Sequence, residues 1–211
     1  MRSESFRKGM KDGVPIGLGY FAVSFTFGMM AVANGLSIWQ AVLISLTNVT
    51  SAGQFAGLDI MVMGGSYWEM ALMTLIANAR YLLMSCALSQ RFSPDTGLRH
   101  RLLVGFDITD EIFGITIARP GFLDPYYSYG AMVLAIPAWA SGTALGVVMG
   151  NILPTRIVSA LGVALYGMFL AIIIPPCRKS RAVAVLVAVS FLLSFAVASI
   201  SVFAVLSDSM R

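Results

Sequence analysis

The chain has 211 residues, of which 58% are hydrophobic and only 11% are charged, and it carries a net charge of +4. Because an ordinary soluble domain has charge on about a quarter of its residues, this composition excludes a soluble globular protein and indicates a membrane protein. With one histidine and two cysteines, the sequence has no ligand spacing for a metal and no cofactor motif, so we expect neither, and no enzymatic activity. The basic residues flank apolar segments, which argues against nucleic acid as a partner.

Five segments approach or exceed the roughly 20 apolar residues needed to cross a hydrocarbon core about 30 Å thick. Because backbone groups in lipid need internal partners, these segments are predicted to be helices. They are Val14–Asn34, Tyr67–Leu88, Ser128–Gly150, Ile157–Pro175 and Ala182–Leu206. The predicted fold is therefore an all-α polytopic membrane protein with one integral-membrane domain over residues 1–211.

Two further apolar segments are interrupted by polar residues: Ile38–Met63, which contains TSAGQFAGLD, and Leu102–Ala118, which contains GFDITDEIFG. If both cross the bilayer, there are seven spans, with eight basic residues inside and five outside. If both return to the side they entered, there are five spans, with eleven basic residues inside, two outside, and Arg80 within the membrane. The positive-inside rule favours the second arrangement, with residues 1–13 as a cytoplasmic N-terminal segment. We expect about five full transmembrane helices and two interrupted or re-entrant segments.

Gly53 and Gln54 lie at the polar break of the first interrupted segment. Irregular backbone at membrane depth is tolerated where it is buried in protein or lines a water-filled cavity. In transporters such breaks expose helix N-termini, which hold anionic groups, and free carbonyls, which hold cations. The alternative is that Gly53 and Gly57, four residues apart, simply let two helices approach closely.

Three acidic residues mark the second interrupted segment. Asp107, Asp110 and Glu111 stand at i, i+3 and i+4, so on a continuous helix their carboxylates share one face. In lipid such a group must face a wet cavity, pair with a cation or hold protons. The alternative is that the group lies near the surface, where it caps a helix beginning at Ile108 or pairs with the Arg99–Arg101 cluster.

Arg80 interrupts the predicted helix Tyr67–Leu88 at a depth where it needs a carboxylate, carbonyl groups or water. The available acids are Asp59, Asp107, Asp110 and Glu111. Asn78 is two residues away and points to nearly the opposite side of a regular helix. Unless the helix is distorted, one of the two residues serves a ligand or ion and the other serves helix packing.

Four stretches together resemble the AzlC family: GLGYFAVSFTFG at 17–28, TSAGQF at 50–55, N-x-R-Y-L-L-M-S at 78–85 and D-x-x-D-E at 107–111. Members of this family are the large subunits of two-component exporters of branched-chain amino acids. The resemblance implies export driven by an ion gradient, location in the plasma (inner) membrane and a small membrane partner of the AzlD type. It is collinear from about Lys11 to Arg119 and continues more weakly beyond.

The sequence departs from the family pattern at two places. The family usually has histidine where this chain has Tyr81, so a proton relay through a histidine at that position is not expected here. The PFG-like element is here Phe25-Thr26-Phe27-Gly28, without the proline.

A branched-chain amino acid is a zwitterion with an aliphatic tail, so its site must satisfy a carboxylate, an ammonium group and a few methyl groups. The expected substrate-binding residues are Gly53, Gln54, Asn78, Arg80 and Phe55. The expected ion-coupling residues are Asp59, Asp107, Asp110 and Glu111, one of which could also take the ammonium group. A passive channel or pore for a small polar solute is the alternative, because it also needs polar breaks and carboxylates.

Gly142, Gly146 and Gly150 recur at every fourth residue of the segment Ser128–Gly150. They form a smooth stripe that predicts close packing against another helix. That helix belongs either to this chain or to the small partner subunit.

Overall fold

The computed structural model describes residues 2–150, 152, 174, 177, 178 and 180–199, with side chains up to residue 196. The chain divides into two compact units, Met1–Leu153 and Pro154–Arg211, and each is described by itself. The predicted span Ile157–Pro175 lies outside the described residues except for residue 174, and so does the end of the span Ala182–Leu206.

The described part of the chain is helical, as predicted. The first unit contains α1 (Arg2–Ala33), α2 (Ile38–Thr47), α3 (Ser51–Val62), α4 (Tyr67–Ala77), α5 (Ala79–Ser89), α6 (Leu98–Phe106), α7 (Asp110–Ile117) and α8 (Pro125–Gly150). The second unit contains α9 (Arg181–Ser199). Residues 2–13, which we predicted as a separate N-terminal segment, form the first turns of α1.

Two helices of the described residues, α1 and α8, are long and apolar enough to cross a membrane. The helices α4 and α5 would make a third span if they count as one, because they meet at a bend of 46°. The predicted number of about five full spans is therefore not confirmed.

The glycine stripe of α8 packs against α1 within the chain. A Cβ on Gly146 would lie 2.1 Å from the carbonyl oxygen of Phe25, and one on Gly142 would lie 2.5 Å from that of Phe21. Glycine is needed because the two backbones lie nearly in contact. We predicted that the stripe packs either on a helix of this chain or on the small partner subunit. In the described structure it packs on α1 of this chain.

The α1 and α8 helices run in the same direction. Gly9, near the start of α1, lies against Tyr127 at the start of α8. Gly150, at the end of α8, lies against Met29 near the end of α1. The pair therefore forms a common axis for the other helices of the first unit.

The two interrupted segments each form a pair of short helices separated by a break of three residues. Hairpin A consists of α2 and α3 and turns at Asn48–Thr50, and hairpin B consists of α6 and α7 and turns at Asp107–Thr109. Ser37 begins α2 with a capping box, in which its hydroxyl accepts from the amide of Gln40.

The break in hairpin A sets the level that α3 reaches along the α1–α8 pair. Ser45 of α2 hydrogen-bonds Thr143 of α8 at 2.7 Å, and Phe55 of α3 packs its ring 5.5 Å from that of Phe27 of α1. Gly28 lies against Thr143, so these two contacts are at the same level of the α1–α8 pair. A continuous helix would separate Ser45 from Phe55 by about 15 Å along its axis. The break at Asn48–Thr50 therefore keeps Ser45 and Phe55 at one level, which a continuous helix would not do.

Hairpin B enters from the opposite end of the pair. His100, near the start of α6, hydrogen-bonds Tyr129 at 2.8 Å, and Arg119, just after α7, lies 4.3 Å above the ring of Tyr127. Both ends of hairpin B are thus at the start of α8. Its turn reaches Tyr20, in the middle of α1, whose hydroxyl hydrogen-bonds Thr109.

Candidate functional site

Three breaks in the helices meet near the middle of the first unit, and we call this region the central site. The break between α4 and α5 at Asn78 lies against the beginning of α3. A Cβ on Gly53 would be 2.9 Å from Asn78 Nδ2, the side-chain amide nitrogen. Two residues later, Arg80 Nη1 lies 2.9 Å from Asp110 Oδ2, at the turn of hairpin B. The break in α4–α5 therefore lies between the turns of the two hairpins.

Two helices begin at the central site without a side-chain cap. Thr50 precedes α3 and Asn78 precedes α5, and neither side chain accepts a hydrogen bond from its helix. The first amides of a helix carry a partial positive charge and need acceptors. The uncapped helix starts can hold an anionic group. Asn78 Oδ1, a buried acceptor without a partner, needs a hydrogen-bond donor.

Arg80 and Asp110 form an ion pair whose side chains are 38% and 27% exposed. Asp110 is one of the acids that the sequence offered as partners for Arg80. The Arg80 guanidinium also lies 5.2 Å from the ring centroid of Tyr81, the residue at the family's usual histidine position. The central site therefore contains a cation and an anion that neutralise each other.

The break at Asn78 explains how Asn78 and Arg80 can both contribute to one site. On a regular helix they would point to nearly opposite sides, but α4 ends at Ala77 and α5 begins at Ala79 with a change of direction of 46°. Asn78 consequently faces hairpin A and Arg80 faces hairpin B.

The side chain of Gln54 is almost fully buried, with 1% exposure, and belongs to a polar network. Its amide donates to Ser45 Oγ at 2.7 Å and accepts from the indole nitrogen of Trp139 at 3.0 Å. Ser45 in turn contacts Thr143. In this structure Gln54 holds hairpin A against α8, and Gly53 beside it approaches Asn78.

The other two predicted residues of α3 lie on different sides of the helix. Phe55 is buried against Phe27, at the edge of the region that holds Gln54. Asp59 is exposed and has no contact with the other predicted site residues in the described structure. It lies five residues after Gln54, which corresponds to about 140° around a helix.

The turn of hairpin B differs from the expectation for the three acidic residues. The α6 helix ends at Phe106, just before Asp107, and α7 begins at Asp110, so the three carboxylates do not share the face of one continuous helix. The alternative was also wrong, because Thr109 caps α7 by accepting from Ile112 N, and the helix does not begin at Ile108. The interruption by Asp107–Thr109 is the reason for both differences.

The three carboxyl groups have different partners. Asp110 is paired with Arg80. Glu111 accepts a hydrogen bond from the Tyr20 hydroxyl at 2.8 Å. Asp107 is 1% exposed, and neither of its carboxyl oxygens has a hydrogen-bond partner.

Four residues of these networks were missed by the sequence analysis: Tyr20, Ser45, Trp139 and Thr143. The sequence could have pointed to Tyr20 and Trp139, because a hydroxyl or indole N–H in the middle of an apolar helix usually needs a hydrogen-bond partner. Their rings also pack edge to face, with centroids 5.3 Å apart. Ser45 and Thr143 had no such signal, since small hydroxyl residues can bond to their own helix.

No group of three or more potential metal ligands occurs among the residues that the structure describes. The donor set of the central site is instead an arginine, carboxyl groups, an asparagine amide and helix N-termini. Such a set suits an organic zwitterion or a proton.

Residues 15–153 match the family model described as AzlC protein. An uncharacterized membrane protein of Archaeoglobus fulgidus is 31% identical over 176 residues, which cover 82% of this chain and 77% of that protein. The inner membrane protein YgaZ of Escherichia coli K12 is 27% identical over 190 residues, with coverage of 87% and 78%. No solved structure gives a significant match.

Proposed function

The chain belongs to the AzlC family, and on that premise we propose that it is a secondary transporter subunit that exports branched-chain amino acids. The observation that carries the proposal is the meeting of the three helix breaks beside the Arg80–Asp110 ion pair. Irregular backbone at membrane depth is characteristic of the substrate sites of secondary transporters.

The charges of the central site complement those of an amino acid. In the proposed complex, the substrate carboxylate binds Arg80 and the uncapped start of α3, and the ammonium group binds Asp110. The zwitterion then separates Arg80 from Asp110 and supplies each with a new partner of opposite charge. The site contains compensated charges with and without substrate, which avoids the cost of an isolated buried charge.

The two hairpins are suited to act as gates in this proposal. Hairpin A and hairpin B enter from opposite ends of the α1–α8 pair, and their turns meet at the central site. Movement of one hairpin at a time would open the site to one side of the membrane and then to the other, which is alternating access.

The proposal includes a location and a partner. The subunit lies in the plasma (inner) membrane as a multi-pass protein, with the start of α1 on the cytoplasmic side, in accordance with the excess of basic residues in the loops assigned to that side. The partner is a small membrane subunit of the AzlD type, and export is coupled to a proton gradient. Neither a cofactor nor an enzymatic step is part of the proposal.

Resistance of cells to a toxic branched-chain analogue tests the proposed site. Arg80→Ala and Asp110→Asn should each abolish resistance while the protein stays in the membrane at near-normal amount, because each leaves one charge of the substrate unpaired. Gln54→Ala should also abolish it, through loss of the contacts that hold hairpin A. Asp59→Asn is the matched control, since Asp59 is exposed and lies away from the site. Wild-type resistance in all three site variants would rule out this assignment.

A passive pore is the alternative function. Efflux through a carrier saturates with internal substrate, because each molecule occupies the site for one cycle, whereas flux through a simple pore rises in proportion to concentration. Efflux of labelled leucine that rises without saturation would favour the pore.

A further inference from the structure

We infer that Asp107 is the residue that binds the coupling proton and that Asp59, Asp110 and Glu111 have other tasks. The inference rests on the proposed export function and makes one part of it specific. It comes from the different surroundings of four acidic residues that the sequence alone treats alike.

Three of the four carboxyl groups are unsuited to carry the proton. Asp110 is held by the Arg80 guanidinium at 2.9 Å, so protonation would break an ion pair. Glu111 already has a hydrogen-bond partner, because it accepts from the Tyr20 hydroxyl at 2.8 Å. Asp59 is exposed on the outer side of α3 and has no connection to the turns of the hairpins.

Asp107 is the carboxyl group whose surroundings call for a proton. It is 1% exposed, and both oxygens lack a hydrogen-bond partner. A buried carboxylate without a partner pays the full cost of leaving water, and it avoids this cost by binding a cation or a proton. The position of Asp107 at the turn of hairpin B means that any movement of the turn changes its access to water.

The neighbours of Asp107 favour a proton over a metal ion. The titratable groups that interact with it are Glu111, whose charge repels an ionised Asp107, and the Tyr20 hydroxyl. The nearby cation, Arg80, is already paired with Asp110. A metal ion needs several oxygen ligands, and the described residues contain no cluster of three acidic, histidine or cysteine side chains. A proton needs only one carboxyl oxygen.

When movement of hairpin A opens the site to the outside, hydronium transfers a proton to a carboxylate oxygen of Asp107, and one O–H bond forms while water is left behind. The neutral acid is enclosed when hairpin A closes. When hairpin B, which enters from the cytoplasmic end, opens, the O–H bond breaks and the proton passes to water. Each cycle moves one proton inward, which can drive an amino acid outward.

Infrared difference spectroscopy between acidic and alkaline pH tests the inference directly, because a protonated carboxyl group has a C=O stretch that an ionised one lacks. The sample is the full chain, purified with any small subunit that accompanies it. We expect a band in the wild type that is lost in Asp107→Asn and kept in Asp110→Asn and Asp59→Asn. A band that persists in Asp107→Asn would overturn the inference, as would a carboxylate signal that responds to sodium and not to pH.

The variant Asp107→Glu covers the case in which Asp107→Asn does not fold. Because it keeps a carboxyl group at the same turn, it should retain a titrating band with a shifted midpoint. A midpoint identical to that of the wild type would place the proton elsewhere.

Transport in proteoliposomes separates this inference from the proposed function. We expect an imposed pH gradient to drive leucine accumulation by the wild type and at least tenfold less accumulation by Asp107→Asn, which still exchanges leucine. If the wild type transports no branched-chain amino acid, the proposed function fails. If Asp107→Asn accumulates leucine like the wild type, the inference fails and the proposed function stands. If this variant loses exchange as well, the infrared band decides.

Discussion

Replacement of Gly53 by alanine should impair transport without unfolding the protein. An added Cβ would lie 2.8 Å from Thr50 Oγ1 and 2.9 Å from Asn78 Nδ2, whereas ordinary contact begins at 3.4 Å. These atoms are the ends of side chains, so they can retreat by about 0.5 Å without movement of the backbone. The intrinsic preference of a helix for alanine over glycine, up to about 1 kcal/mol, opposes the cost of this displacement. We therefore expect little change in thermal stability.

The effect on transport should be larger, because the displaced groups belong to the central site. Functional groups have to be held within about 0.5 Å of their productive positions, and a misplacement of 1 Å can cost about a hundredfold in rate. By this reasoning Gly53→Ala should lower the initial rate of leucine export roughly tenfold.

Gly57→Ala is the matched control for this experiment. It makes the same change on the same helix, one turn later, and nothing lies within 4 Å of the added Cβ. Its export rate should equal that of the wild type, and initial efflux of labelled leucine from loaded vesicles is the measurement. Equal rates for Gly53→Ala and Gly57→Ala would refute the contact between α3 and the break at Asn78 as part of the site.

Three further predictions concern the helix packing and the topology. Gly146→Leu should abolish folded, monodisperse protein in size-exclusion chromatography, because α8 lies on the backbone of α1 at Gly146. The control Gly19→Leu should stay folded, since nothing lies within 4 Å of a Cβ at Gly19. A folded Gly146→Leu protein that only releases a small subunit would contradict this packing. Trp139→Phe should lower the free energy of unfolding by about 1–3 kcal/mol, because it removes the hydrogen bond to the buried Gln54 amide. Trp68→Phe, at an 85% exposed position, should not lower it. Equal shifts in melting temperature for the two variants would contradict the Gln54 network. A cysteine at Pro94 should react only from the cytoplasm, and labelling from outside would contradict the topology of hairpin A.

The helical class and the two interruptions could be predicted because they depend on local properties of the sequence. Apolar length indicates helices, and polar residues inside an apolar segment indicate a break. The sequence even restricted the partners of Arg80 to four acids, one of which, Asp110, forms the ion pair.

The remaining features depend on contacts between residues that are distant in the chain. Trp139 and Gln54 are 85 positions apart, and their hydrogen bond exists only because hairpin A folds back against α8. Asp107 was wrongly placed on one helix face with Asp110, since spacing alone does not reveal that a helix ends between them. The sequence could have shown that Asp59 and Gln54 lie on different sides of α3, because five residues correspond to a rotation of about 140° around a helix.

Counterflow in proteoliposomes is the most direct test of the claim that this chain is an amino-acid carrier. Vesicles containing the full chain and the proposed small subunit are loaded with unlabelled leucine and diluted into a trace of labelled leucine. We expect transient accumulation of label above equilibrium in the wild type, because a carrier exchanges substrate at one site. We expect none in Arg80→Ala, because this variant cannot pair with the substrate carboxylate. Simple equilibration of label in wild-type vesicles, or accumulation in Arg80→Ala equal to that of the wild type, would contradict the proposal.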